Sequence, residues 1–142
     1  MTLTSRCLKS SGRDPCETAA RYTRLLWWAT APEKLPEVVI KACKDPATTL
    51  MVSVASAWEL QIKAQIGKIR FATSLEQLFQ TQQANGVELL SIVLPHVIHL
   101  AALPLHHKDP FDRLLIAQAQ FEDTYLASAD AIFRDYRVKL LW

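Results

Sequence analysis

The chain has 142 residues, half of them hydrophobic, with a net charge of +2 and a pI near 8.5. That length suits one domain with a proper core, and so mild a charge does not announce a nucleic-acid binder by bulk electrostatics, though it leaves room for a local basic rim. Cys7, Cys16 and Cys43 show no paired spacing and no histidine at zinc-finger distance, no apolar run reaches the roughly 18 residues that cross a bilayer, and the first residues lack the apolar centre of a secretion signal. A reducing, cytoplasmic setting away from membranes is the expectation.

Residues 1–20 are polar and scattered, with the turn-rich run Ser10-Ser11-Gly12-Arg13-Asp14-Pro15, and are expected to be poorly ordered. Residues 21–142 are expected to form a single domain. Leu25-Leu26-Trp27-Trp28-Ala29 begins the apolar pattern, and Glu37 to Lys44 is predicted as a short helix stopped by Asp45-Pro46. Thr48 to Val54 has the β-branched, apolar character of a buried strand. Ala55, Trp58, Ile62 and Ile66 then recur at helical spacing up to Gly67, and the spacing of Trp58, Ile62 and Ile66 marks those three as core. Ser74 opens a further helix that ends at Asn85-Gly86, followed by a strand Val87 to Ile92 and a helix Pro95 to Leu103. The Asp109-Pro110 helix presents Phe111, Leu114, Leu115 and Ala119 as one apolar face. A strand Thr124 to Ser128, a helical segment Ala131 to Tyr136 and a last strand Lys139 to Trp142 complete the chain. The alternation predicts an α/β fold with a mainly parallel sheet.

Asp112 falls in the first turn of the Asp109 helix, Asp130 stands where the Thr124 strand ends, and Glu59 follows the end of the Thr48 strand. In parallel sheets that edge is where ligands bind. Three acids are therefore expected to converge on one rim. Gathered carboxylates repel one another unless they are protonated or bind a cation, and all-oxygen donors suit Mg²⁺ or Mn²⁺. Such a site activates water against a phosphodiester. Each acid also has a structural explanation. Ser56 and Glu59 fit a capping box, Asp112 complements a helix dipole, and Asp130 could cap the next helix.

The run Ser53-Val54-Ala55-Ser56-Ala57-Trp58-Glu59-Leu60, then Asp109-Pro110-Phe111-Asp112-Arg113, then Ser128-Ala129-Asp130, resembles the PIN-domain family, and within it the VapC-type toxins. The resemblance spans about residues 25 to 142. It implies a PIN-like three-layer sandwich, with a central mainly parallel sheet flanked by helices, and a metal-dependent endoribonuclease. It also implies an antitoxin partner that blocks the site, and a homodimer. By the same resemblance Glu59, Asp112 and Asp130 are catalytic metal ligands or their supports. Asp109 is a fourth metal candidate that a helix cap explains equally well.

One family acid is missing. The pattern begins with a buried strand ending in Asp, commonly Leu-Leu-Asp-Thr-His-Val-Leu-Leu-Trp-Trp, whereas this chain reads Ala19-Ala20-Arg21-Tyr22-Thr23-Arg24-Leu25-Leu26-Trp27-Trp28. Arg21 stands in the place of the carboxylate, and Asp14 is a poor substitute on an irregular segment. The substitution implies a weakened or inactive enzyme, or a catalytically inactive module that binds antitoxin or RNA. A frameshift offers a simpler account. Codons for Ala-Ala-Arg-Tyr-Thr-Arg can be chosen so that the neighbouring frame spells Leu-Leu-Asp-Thr-His-Val, which would put residues before Arg24 out of frame.

Trp27 and Trp28 match the family's aromatic pair and are read first as core. His106, His107, Lys108 and Arg113, with Lys63, Lys68 and Arg70, could hold phosphates, although solvated surface charge is the simpler reading. His96 and His99 lie on one helix without acidic neighbours and are read as surface or internally satisfied histidines.

Overall fold

A computed structural model describes residues 36–106, 108–128 and 131–141. Residues 1–35, His107, Ala129, Asp130 and Trp142 lie outside this set. So do the readings that fall on them: the N-terminal segment, Arg21 and the run around it, the Trp27-Trp28 pair, the third acid of the rim and the last residue of the final strand.

The first helix, α1, covers Glu37–Lys44. Its acidic first turn and basic last turn suit the helix dipole, and Lys41 pairs with Glu37 at 2.8 Å on the exposed side while Val39 and Ala42 face inward. The chain turns at Asp45, whose carboxylate accepts from the Ala47 N–H, because Pro46 cannot continue the helix. Strand β1, Leu50–Ser53, follows and runs directly into α2, Val54–Gln65. Ile66 and Gly67 end α2 in a Schellman turn: Lys68 N–H donates to Lys63 O and Gly67 N–H to Ala64 O, with Gly67 at φ +72°. Helix α3, Leu75–Ala84, opens with a reciprocal capping box in which Ser74 Oγ accepts from Gln77 N–H and Gln77 Oε1 accepts from Ser74 N–H.

Strand β2, Val87–Leu90, pairs in parallel with β1, so that Leu50 lies opposite Val87 and Ser53 opposite Leu90. Helix α2 therefore leaves the sheet at the same edge as the segment that enters α4, Leu94–His99. A 3-10 turn, Leu100–Ala102, extends α4, and α5 spans Pro110–Phe121. Strand β3, Tyr125–Leu126, then pairs in parallel with β4, Lys139–Leu140, across a 3-10 segment at Ala131–Asp135. Every strand pair among the described residues is parallel, and the molecule is an α/β sandwich, as the alternation of elements predicts.

The helical character of the predicted elements holds, but two expectations about their faces do not. Helix α5 is buried at Asp112 and from Leu114 through Ala119, on more than one face, because α2, α4 and β3 all pack against it. Its Leu114, Leu115 and Ile116 join Leu126, Phe133 and Tyr136 in the larger core, while Val52, Leu60, Phe79 and Val87 form a smaller one. The stripe Trp58, Ile62, Ile66 is not core: Trp58 is 58 % and Ile66 59 % exposed, and Ala55, Ser56, Glu59 and Leu60 are the buried residues of α2. The apolar stripe of α2 faces outward, and the helix is covered on the side of Ala55, Ser56, Glu59 and Leu60.

Candidate active site

Helices α2 and α5 pack antiparallel. At one level Ser53 Oγ donates to Gln118 Oε1 at 2.6 Å. At another, the Trp58 and Phe111 rings meet edge to face with centroids 5.0 Å apart. Counting six residues on from Ser53 reaches Glu59, and six back from Gln118 reaches Asp112. The antiparallel register thus sets Glu59 and Asp112 at one level of the helix pair, each next in sequence to a member of the ring contact. Both are buried, Glu59 to 4 % and Asp112 to 6 % exposure.

A buried carboxylate needs compensation. Glu59 Oε1 lies 2.6 Å from Lys63 Nζ, one turn along α2. Asp112 sits in the first turn of α5, where the helix dipole favours an anion. Asp109 precedes it as N-cap: its Oδ1 accepts from the Phe111 N–H at 2.9 Å and the Asp112 N–H at 3.2 Å, with Pro110 at the first helical position. The structure therefore brings Glu59 and Asp112 to one level, gives Asp109 the capping role that the sequence allowed it, and does not describe Asp130. Among the described residues no group of three or more His, Cys, Asp or Glu is arranged to hold a metal ion. Glu59 and Asp112 share a level, and Asp130, the third acid of the expected rim, lies outside the described residues.

Several readings of neighbouring residues change. Ser56 does not form a capping box with Glu59, because α2 begins at Val54 and its N-cap is Ser53, whose Oγ accepts from the Ala55 N–H. Arg113 is turned away from phosphate duty: its guanidinium donates to the carbonyls of Pro104, Leu100 and Leu103 around the end of the 3-10 turn. Lys63 lies within the Glu59 helix and is engaged by Glu59, not beyond it as a phosphate contact. His96 does have an acidic neighbour. It is buried, with Nε2 3.0 Å from Glu122 Oε1, while His99 Nε2 meets Gln120 Oε1 at 2.9 Å. His106 packs edge to face on Tyr136 and lines a cavity of about 600 Å³ with His99, Thr124, Arg137 and Lys139.

The two residues whose hydrogen bond joins α2 to α5, Ser53 and Gln118, carry no functional expectation from sequence. A signal existed for each. Ser53 is the last strand residue before a helix, a natural N-cap, and Gln118 is a lone amide inside the apolar stretch Leu114–Ala119.

The sequence model of the PIN domain matches residues 23–139, which is most of the chain and includes Glu59, Asp109, Asp112 and Asp130. This chain belongs to the PIN domain family. PIN domains are generally metal-dependent nucleases, and two buried carboxylates level with each other at the start of α5 fall within the matched PIN region. Neither a curated protein nor a solved structure matches this PIN chain. No helix among its described residues is long and apolar enough to cross a membrane.

Proposed function

We propose that this PIN domain is a cytoplasmic endoribonuclease of the toxin type, which hydrolyses RNA phosphodiesters with Mg²⁺ or Mn²⁺ and is held in check by an antitoxin protein. The observation that supports it is the pair of buried carboxylates, Glu59 and Asp112, set level by two helices of a nuclease family. The donor set fits a hard divalent cation, because carboxylate oxygens suit Mg²⁺ and Mn²⁺. Glu59, Asp112 and Asp130 would hold the ion, with Asp109 fixing the helix start beneath it. When bound, such an ion lowers the pKa of its water and screens the phosphodiester charge.

The chain's own groups supply the rest. Asp109 fixes the backbone of the first turn of α5 and so the position from which Asp112 projects. Lys63 compensates the Glu59 charge in the buried setting. Exposed Lys68, Arg70 and Lys108 are available to phosphates along the strand.

The proposed homodimer has support of its own. Helix α4 turns its histidines inward and its aliphatic side chains outward, with Leu94 and Ile98 70 % and 63 % exposed beside Val93, Val97 and the half-exposed Phe121. No acidic or basic residue other than the two histidines occurs between Leu89 and Leu105, so a two-fold could set this face against itself without opposing like charges. Ile98→Glu is expected to convert dimer to monomer in sedimentation; an unchanged mass would remove this face from the assembly.

A second reading rests on Arg21. A cation in place of the first family acid favours a non-catalytic module that keeps the binding surfaces for antitoxin or RNA. Metal titration and RNA cleavage separate the two. The nuclease reading expects Mn²⁺ to raise Tm and support cleavage of single-stranded RNA, with both effects lost in Asp112→Asn. If Mn²⁺ changes nothing and RNA or antitoxin still binds, the module reading stands.

A further inference from the structure

We propose that Gln118 is a positioning residue whose amide fixes the register of α2 against α5, and with it the placement of the Glu59 carboxylate relative to that of Asp112. Only the metal-binding part of this inference rests on the nuclease reading.

Gln118 is fully buried, and both ends of its amide are committed. Oε1 accepts from Ser53 Oγ at 2.6 Å. Nε2 donates to Ser91 O at 3.3 Å and faces His96 Nδ1 at 3.4 Å. The amide cannot be reversed, because a carbonyl oxygen such as Ser91 O only accepts. His96 Nδ1 is already an acceptor, taking the Val93 N–H at 3.3 Å, so its ring proton lies on Nε2 and points to Glu122 Oε1. Glu122, His96, Gln118 and Ser53 thus form a directed chain of hydrogen bonds that ends on the residue capping α2.

The direction matters because the apolar contacts of this interface have none. Ala55 of α2 and Leu114, Leu115 and Ala119 of α5 belong to one apolar cluster. Such contacts tolerate small slips, since apolar burial is not directional. A slip of one residue along a helix moves the chain about 1.5 Å. That would lengthen and misalign the 2.6 Å Ser53–Gln118 bond, which crosses between the helices, with no solvent at hand to replace it. The Trp58–Phe111 contact at the open end is half exposed and cannot impose the register alone. Gln118 touches neither carboxylate in this arrangement and acts through Ser53.

The test uses the full chain with Gln118→Met, which keeps length and apolar volume but loses the bonds, and the pair Ser53→Ala and Ser53→Thr. The readouts are the Trp58 indole and Asp112 amide resonances of the metal-free protein, the Mn²⁺ dissociation constant, and Tm. In Gln118→Met and Ser53→Ala the two resonances are expected to move together, and Mn²⁺ affinity to fall about tenfold or more, the usual effect of losing a support behind a ligand. Ser53→Thr, which keeps the hydroxyl, is expected to restore both. If the variants fold with lower Tm while the resonances and Mn²⁺ affinity stay at their original values, Gln118 merely stabilises and the proposal is overturned. Should Gln118→Met not fold, the Ser53 pair decides alone: matching spectra for Ala and Thr overturn the proposal. If the parent binds no Mn²⁺ but the resonances shift, the metal reading fails and the positioning role stands.

Discussion

Ser53 Oγ performs two tasks at once: it accepts the Ala55 N–H to cap α2 and donates its own proton to Gln118 Oε1 at 2.6 Å. One hydroxyl thereby starts the helix that carries Glu59 and ties it to the helix that carries Asp112.

Replacing Ser53 by alanine removes the cap and leaves the Gln118 oxygen buried without that donor. An N-cap is worth about 1 kcal/mol and an orphaned buried acceptor about 1–3 kcal/mol. Ser53→Ala is therefore expected to lose about 2–4 kcal/mol in urea denaturation, with the slope m unchanged, and Ser53→Thr to recover most of it.

The two roles open to Asp109 separate by chemistry. As N-cap, its replacement by alanine costs about 1 kcal/mol, and asparagine, an equally good cap, restores stability. Asp109→Asn is expected to match the parent in both Tm and Mn²⁺ affinity. Normal stability with lost Mn²⁺ binding would instead make Asp109 a ligand.

Lys63 holds one oxygen of a carboxylate that is almost wholly buried, though the lysine side chain is a quarter exposed and the pair is partly screened. Lys63→Met is expected to destabilise the metal-free protein by about 1–2 kcal/mol, less than a fully buried pair would lose. Saturating Mn²⁺ should recover more stability in the variant than it adds to the parent. Equal metal-induced shifts of Tm in both proteins would show that Lys63 and a cation do not share Glu59.

Burial ranks the apolar substitutions against their sequence pattern. Leu115 is fully buried in the larger core, so Leu115→Ala should cost about 2–5 kcal/mol. Ile66 belongs to the predicted apolar stripe but is more than half exposed, so Ile66→Ala should change stability by under about 0.5 kcal/mol. Chemical denaturation of the two single variants compares them directly.

The elements were legible because their boundaries are written locally. Pro46 stops α1, the Ser74–Gln77 box opens α3, Gly67 and Gly86 close α2 and α3, and Asp109-Pro110 starts α5; each acts through backbone hydrogen bonds a few residues away. The order of motifs around Glu59, Asp112 and Asp130 likewise carried the family, which residues 23–139 bear out. Which face of a helix is covered was not legible, because it depends on elements distant in sequence. Helix α5 is wrapped by α2, α4 and β3, so its periodicity is lost, while α2 shows Trp58 and Ile66 to the outside and packs Ala55 and Ser56 within. The same holds for polar partners. His96 and Glu122 are 26 residues apart, and Ser53 and Gln118 are 65 apart. Composition and spacing chose the residue types and the helix ends of this protein; only the packing of α2 against α5 decided that Glu59 and Asp112 share a level, since a register between helices is set by side chains that meet nowhere but in the folded chain.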